Sequence, residues 1–522
     1  MRNLLEIVRR ALHRWLSSMD GALNRLYSWR YNPLYHSGAL TVALMIILLV
    51  TGTYLLFFYR IGSPYDSVVR LQNQVWLGRW IRSLHRFASD AAVVAIAIHA
   101  VRIFAQRRAW GPRALAWLSG LALLGLTLVC GWTGYVMVWD IQGLVLAREG
   151  ARFLDALPFF SEPIARAFVG EREIPSAFFF LNLFLHVALP LGMGVALWIH
   201  VARIARPALL PPKKLAWGVT GLLILISVIW PVAMAPEADL FHLPRTAPYD
   251  WFYSFWLPVT ALMPPWAAWI GVTVLTALAS AIPWWTRPKI EAVASRVETR
   301  LCDGCRQCYL DCPYEAIAMI PMEGSRKGIV AEVEPSLCVS CGICSGSCAP
   351  MGVGPPGRTG RDQLGEVRSF IKENELGERD VVVVACGHGI GLLGQAGMPD
   401  DVPLYSVECI GSMHTSILEF LVRSGVGGVL IASCPPRDCW HREGPHWLEE
   451  RLYNDREAEL KSRVDRRRVR VSFLGGGDAW LFKKELESYR RDIGAIEGIE
   501  AEKDVALDLD CRTDVSAEEV GR

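Results

Sequence analysis

The stretch 82–102, RSLHRFASDAAVVAIAIHAVR, sets His85 and His99 fourteen residues apart in one apolar run, and 186–200, HVALPLGMGVALWIH, repeats the interval with His186 and His200. At 3.6 residues per turn, fourteen residues return a side chain to nearly the same helix face, about 21 Å further along the axis. Two such helices facing each other bring the four imidazoles together as two pairs stacked across a bilayer. A histidine in lipid is costly and marks function, and two pairs at one interval argue against unrelated core histidines. Neutral imidazole suits haem iron as an axial ligand.

The surrounding chain fits a membrane setting. It has 522 residues, 52% of them hydrophobic, and a net charge of +2. The length exceeds one domain, and the near-neutral balance argues against a nucleic-acid partner. Hydrophobic runs predict six spans, at 38–58, 85–105, 114–138, 176–202, 216–235 and 257–284. Residues 1–30 carry six arginines among apolar residues and read as an amphipathic surface helix. Arg107, Arg108 and Arg113 follow span two, Arg203, Arg206, Lys213 and Lys214 follow span four, and Arg287 and Lys289 follow span six. The positive-inside rule therefore puts both termini on the cytoplasmic side of a prokaryotic membrane, with His85 near the outer face.

Smaller signals accompany the histidines. Arg82 lies three before His85, Arg102 three after His99 and Arg203 three after His200. They suit haem propionates or serve as plain membrane-edge anchors. Spans one and three carry glycines at the same fourteen-residue interval, Gly38 with Gly52 and Gly120 with Gly134. Missing side chains admit a flat porphyrin or close helix packing. These residues, with Gly134-Tyr135-Val136 and Pro190 four after His186, resemble the N-terminal di-haem part of cytochrome b of quinol-oxidising bc complexes, over about 30–205. The resemblance implies two b haems, an outer one on His85 and His186 and an inner one on His99 and His200. It also implies a homodimer of the cytochrome b part. Tyr249-Asp250-Trp251-Phe252-Tyr253 looks like a diverged form of that family's outer quinol motif, which puts Asp250, Trp251 and Tyr253 at a quinone site with Asp250 as proton acceptor; an interfacial aromatic belt is the alternative.

Twelve of the fourteen cysteines fall in 302–439. A segment facing a reducing cytosol favours metal ligation over disulfides. Cys302, Cys305, Cys308 and Cys312 form C-x2-C-x2-C-x3-C before Pro313, and Cys338, Cys341, Cys344 and Cys348 repeat it. Residues 295–352 thus resemble a bacterial two-cluster ferredoxin. In that motif the fourth cysteine of each run ligates the other cluster. One [4Fe–4S] cluster then takes Cys302, Cys305, Cys308 and Cys348, and the other Cys338, Cys341, Cys344 and Cys312. Separate zinc sites would not need this interlocked spacing.

Residues 353–377 read as a linker. Strands at Val381–Ala385, Leu404–Val407, Val429–Ala432 and Val469–Phe473, with helices at 413–423, 445–462 and 478–491, predict an α/β domain with a parallel sheet over 378–492. Cys386, Cys409 and Cys434 follow strands, where open parallel sheets collect ligands, and Cys439 is close behind. Four thiolates match one [2Fe–2S] cluster; buried structural cysteines are the alternative. Cys409-Ile410-Gly411-Ser412 and Ser433-Cys434-Pro435-Pro436-Arg437-Asp438-Cys439 resemble the delta subunit of methyl-viologen-reducing hydrogenase. That family implies a [2Fe–2S] cluster and electron exchange with a flavoprotein of the heterodisulfide-reductase type. Gly389-x-Gly391-x-x-Gly394 formally matches a dinucleotide fingerprint, but Pro399 and Pro403 leave little room for the helix it needs. The tail 493–522 is acidic, without periodicity, and reads as disordered.

The expected whole is a multidomain chain: a six-span α bundle with a four-helix di-haem core (31–290), a ferredoxin-like α+β segment, and a C-terminal α/β domain. Its expected work is electron transfer between lipid-dissolved quinone and a soluble flavoprotein, through two b haems, two [4Fe–4S] clusters and one [2Fe–2S] cluster. Downhill flow to quinone and electron bifurcation both remain open. A haem-bearing anchor of a hydrogenase or dehydrogenase without a quinol site is the alternative, and a redox sensor is a third. No nucleophile, nickel site or flavin motif appears, so substrate chemistry is expected on partner subunits.

Overall fold

The computed structural model describes residues 2–158, 163–168, 174–202, 208–241, 250–287, 293–377, 380–387, 399, 401–454, 456 and 458–496. The chain forms two compact units, one of residues 1–12 and 36–287, the other of 13–35 and 288–522. The first helix, α1 (Arg2–Tyr31), contributes residues to each.

The first unit is helical: α2 (Ser37–Leu56), α3 (Pro64–Asn73), α4 (Gly78–Ala105), α5 (Ala114–Val138), α6 (Ile141–Asp155), α7 (Ser176–Ala202), α8 (Lys213–Ile229), α9 (Leu257–Leu262) and α10 (Pro265–Thr286). Five of them, α2, α4, α5, α7 and α10, are long and apolar enough to cross a membrane. Their outward faces stay apolar, as Leu49 and Val50 on α2 and Phe184, Leu191 and Trp198 on α7 show. Such surfaces suit lipid, which offers backbone polar groups no partner outside the helix. The span predicted at 216–235 is shorter: α8 has 17 residues, about 25 Å, and stops before Pro231, which has no N–H to continue the ladder. The span predicted at 257–284 is broken at Met263–Pro264, for the same reason, into α9 and α10.

Helix α2 packs along α4, and α5 along α7. Ala88, Ala92 and Ala95 on α4 meet Leu44 on α2, and small residues permit this close approach. The region 140–175, between two predicted spans, contains α6. Asp140 caps it by accepting from Gly143 N (2.9 Å). Leu144, Leu146, Ala147 and Ala151 then bury against Val136, Trp139, Phe168 and Phe179.

The second unit starts with two antiparallel pairs: β1 (Arg296–Val297) with β4 (Val353–Gly354), and β2 (Ile317–Pro321) with β3 (Ile329–Val333). They carry two one-turn helices, α11 (Gln307–Asp311) and α12 (Ile343–Ser347). Next come α13 (Gly360–Asn374) and a four-stranded sheet of β5 (Val381–Cys386), β6 (Leu404–Val407), β7 (Gly428–Ser433) and β8 (Val469–Phe473). The order is β6-β5-β7-β8, all parallel. Helices α14 (Thr415–Arg423), α15 (Gly444–Tyr453) and α16 (Ala479–Gly494) complete it.

Alternation along β5 explains the layers. Val382 and Val384 face a core with Val367, Ile417 and Leu448, from α13, α14 and α15. Val381, Val383 and Ala385 face Phe482, Leu486 and Tyr489 of α16. Burial on both faces is why this strand reads as an unbroken valine run. The segment read as a linker therefore supplies a core helix. Thr359 and Asp362 start α13 with a capping box.

Within this unit, residues 13–35 lie on the Gly475–Asp478 turn through a buried polar seam. Asn24 Nδ2 donates to Asp478 Oδ2 (2.8 Å) and Tyr35 Oη (3.0 Å). Gly21 and Gly477 meet backbone to backbone; a Cβ at Gly21 would stand 2.6 Å from the Gly477 carbonyl oxygen.

Candidate redox cofactor sites

The four histidines meet as two pairs between α2–α4 and α5–α7. His85 and His186 have ring centroids 6.4 Å apart. Metal–nitrogen bonds of about 2 Å on either side of one ion, plus roughly 1 Å from each nitrogen to its ring centre, give about 6 Å. The pair thus has the separation of two axial ligands.

Three of the imidazoles are set from behind by the neighbouring helix. His186 Nδ1 lies 2.9 Å from both the Cys130 carbonyl and Thr133 Oγ1. His85 Nδ1 lies 2.9 Å from Thr51 Oγ1, with the Leu48 carbonyl also bonded to the ring. His200 Nδ1 lies 3.1 Å from Ser119 Oγ, beside the Ala116 carbonyl. Fixing Nδ1 against a carbonyl leaves Nε2 to bind metal, which is how metal-ligating histidines are commonly oriented.

The four glycines stand opposite these rings. A Cβ would lie 2.9 Å from His99 at Gly38, 3.2 Å from His85 at Gly52, 3.3 Å from His200 at Gly120 and 3.0 Å from His186 at Gly134. The space the missing side chains leave admits an imidazole edge. Each glycine follows a hydroxyl residue: Ser37, Thr51, Ser119 and Thr133. The hydroxyls are not among the residues expected from the sequence, though the repeated Ser/Thr-Gly dipeptide is a readable signal. Arg82 donates to Gln72 Oε1 (2.9 Å) and to the Val232 carbonyl. Arg102 is buried on α4, and Arg203 lies outside the described residues.

Beside His85, Arg86 binds three partners, Asp90, Asp250 and the Tyr135 hydroxyl. Asp250 Oδ1 accepts from the backbone of Phe252 (2.9 Å) and Tyr253 (2.6 Å). Both of its oxygens are thus engaged. Tyr253 is buried, its hydroxyl 2.5 Å from Ser89 Oγ and its ring against Gly131. Trp251 is 77% exposed; Tyr249 lies outside the described residues.

In the second unit, Cys302, Cys305, Cys308 and Cys348 line one cavity with Val297, Met319, Ala331 and Val353. Cys312 instead lies in electrostatic reach of Cys338, Cys341 and Cys344. Arg306 and Gly342 take the same left-handed conformation at equivalent places in the two runs. Ala316 N donates to Cys312 Sγ and Gly352 N to Cys348 Sγ, both at 3.3 Å. Burial and neighbouring sulfurs push the Cys308 thiol up, and burial, against a bond to Ser295, pushes Cys344 up to about 12. Thiols so placed ionise when a cation joins them. Among the described residues no three His, Cys, Asp or Glu side chains close tightly enough on one point to hold a single ion; the sulfurs surround a space instead.

Cys386 ends β5, Cys409 follows β6, Cys434 follows β7, and Cys439 lies on the turn beyond. The sheet brings them together: Cys434 bonds to Cys386 and Cys439, and Cys409 to Cys439. Those bonds and burial raise both thiols well above the ordinary range. Cys341 packs with Cys409 around Ile343, so this set adjoins the Cys312 set. Residues 388–398, with the candidate fingerprint Gly389–Gly394, lie outside the described residues.

Known proteins match the three segments separately. Residues 23–208 match the family described as cytochrome b/b6/petB, 301–352 the 4Fe-4S dicluster domain, and 385–497 the methyl-viologen-reducing hydrogenase delta subunit. The menaquinol:cytochrome c reductase cytochrome b subunit of Geobacillus thermodenitrificans is 26% identical over 216 residues, 35% of this chain and 96% of the relative. The same subunit of Bacillus subtilis (strain 168) is 28% identical over 186 residues, 33% of this chain and 83% of the relative. A solved chain, "Hyperthermophilic respiratory Complex III", aligns with TM-score 0.38 at 15% identity, covering 48% of this chain and 75% of its own. The chain is a multi-pass membrane protein in which a segment similar to cytochrome b is joined to segments similar to iron–sulfur proteins.

Proposed function

We propose that the chain is the membrane electron-transfer subunit of a quinone-linked oxidoreductase complex. His85 with His186 and His99 with His200 hold two b haems. The crossed ferredoxin sets hold two [4Fe–4S] clusters, and Cys386, Cys409, Cys434 and Cys439 hold a [2Fe–2S] cluster. Electrons pass between quinone and a soluble flavoprotein partner. The observation that carries this reading is the His85–His186 pair at 6.4 Å, each ring tied from behind. When bound, the haems and clusters supply one-electron carriers; the chain orients their ligands and excludes water. The positive loops put the iron–sulfur segments on the cytoplasmic side, and the haem-bearing part forms a homodimer, as the cytochrome b resemblance implies.

Within the second unit the order of centres follows from contact. The Cys312 set lies between the Cys302 set and the sheet-end cysteines, since Cys308 neighbours Cys344 and Cys341 neighbours Cys409.

Asp250 accepts a quinol proton in this reading, releasing Arg86 to Asp90. Asp250→Asn is expected to slow quinol-driven haem reduction by roughly a hundredfold, measured by stopped-flow absorbance. Unchanged reduction favours the alternative, a haem-bearing anchor with no quinol site. A second expected result concerns Thr133. Its hydroxyl bonds the His186 ring, and bonding at Nδ1 makes the ligand more basic. Thr133→Val should keep both haems and raise the midpoint potential of one alone, read in an optical redox titration; equal movement of both would refute the assignment.

A further inference from the structure

Arg451 on α15 is 1% exposed. Its Nη2 donates to the Gly411 carbonyl (2.6 Å) and its Nε to the Trp447 carbonyl (2.9 Å). Its Nη1 has no hydrogen-bond acceptor among the described residues. That nitrogen points at Gly346, where an added Cβ would collide with it and lie 2.8 Å from Cζ. Gly411 is two residues from Cys409, and Gly346 two from both Cys344 and Cys348. The guanidinium thus lies between two thiol-bearing segments; its strongest charge interaction is with Asp311, and Arg456, Cys409 and Cys344 are also in electrostatic reach. The nearby carboxylate Asp311 is already taken by Arg456 (2.8 Å) and Ser347 (2.7 Å). Burial lowers the Arg451 pKa only to about 10, so it stays charged at neutral pH.

We propose that Arg451 is a fixed positive charge shared by two iron–sulfur centres, on Cys312, Cys338, Cys341 and Cys344 and on Cys386, Cys409, Cys434 and Cys439, and that it makes both easier to reduce. The inference rests on the cluster reading above. A buried cation without a carboxylate partner is costly, and anionic centres on either side relieve that cost. Reduction adds one negative charge to a centre, so a nearby cation favours the reduced form. By the reciprocity of linked equilibria, each reduced centre also stabilises the buried guanidinium. Arg451 is a positioning residue for charge: it touches neither substrate nor electron carrier. Cys409 and Cys344 are the thiols with which Arg451 interacts most strongly, so the centre on Cys302, Cys305, Cys308 and Cys348 serves as an internal reference.

The test is an EPR-monitored redox titration of the full chain, purified anaerobically. Arg451→Met keeps the length and removes the charge. Expected is at least a tenfold fall in the reduced-to-oxidised ratio of the two adjoining centres at fixed solution potential, which is 59 mV for one electron. The Cys302 centre should change less than about threefold on the same scale, and Arg451→Lys should restore most of the loss. Unmoved midpoints, or equal movement of all three, overturn the proposal. Should Arg451→Met fail to assemble, Gly346→Ala decides: its new methyl displaces the guanidinium without altering charge. A downward shift of the same two centres supports the role, and no shift overturns it. If the unmodified chain gives no signal beyond two [4Fe–4S] clusters, the [2Fe–2S] reading itself falls.

Discussion

Replacing His186 with alanine is expected to remove one of two b haems and leave the other. The reduced-minus-oxidised absorbance per protein should fall by half, and the remaining titration should be a single step. The effect is large because the substitution deletes one proposed axial ligand and leaves a cavity where its ring met Thr133. The other pair is about 21 Å away along the helices, where His200 keeps its own bonds to Ser119 and Ala116. Its haem should survive provided α5 and α7 still pack. His99→Ala should remove the complementary step, and the two surviving potentials should differ. Two haems at full occupancy in His186→Ala would sink the ligand assignment.

Cys348→Ala is expected to destroy the cluster of the first cysteine run, not the second in which Cys348 lies. Cys348 shares its cavity with Cys302, Cys305 and Cys308, and its sulfur neighbours Cys302. Cys312→Ala should do the reverse and empty the site that adjoins Cys409. The two variants are separable by EPR: Arg451, Cys341 and Cys409 lie beside one cluster, so magnetic coupling to the sheet-end centre should vanish only in Cys312→Ala. Iron content should fall by about four atoms per chain in each, one cluster's worth. Loss of the Cys409-coupled signal in Cys348→Ala, with its survival in Cys312→Ala, would mean that ligation is not crossed.

Much of this was legible in the chain, for identifiable reasons. The paired-histidine helices showed because a fourteen-residue interval survives any loop length around it. Strands β5 and β7 showed because burial on both faces leaves almost no polar residue, as in Val381–Ala385. The sheet-end cysteines showed because strand ends can be read one strand at a time. Long-range partners were hidden. Nothing near Asn24 announces Asp478, 454 residues away. Arg451 sits in Glu-Glu-Arg-Leu, which reads as a solvent face, yet it is buried because a neighbouring segment covers it. Helix α6 was missed because its Arg and Glu residues obscure the apolar side that packs on Trp139. Arg86 carries no sequence signal of its own: a charge beside a histidine does not announce its partners. The fold makes it a half-buried cation shared by Asp90 and Asp250.

The crossing of the two cysteine runs has a mechanical meaning as well as an electronic one. A cluster on Cys302 and Cys348 closes a loop of about 46 residues, as a covalent staple would; by the chain-entropy estimate such a closure is worth roughly 4 kcal/mol. The second would close a loop from Cys312 to Cys338, nested inside the first. In that ligation the two runs cannot separate while either cluster remains loaded, and metal loading and folding of 295–352 would be one equilibrium. Oxidative damage to the Cys312 cluster would then loosen the support on which Cys341 packs with Cys409, and a chemical injury at one centre would become a break in the chain of carriers at the next.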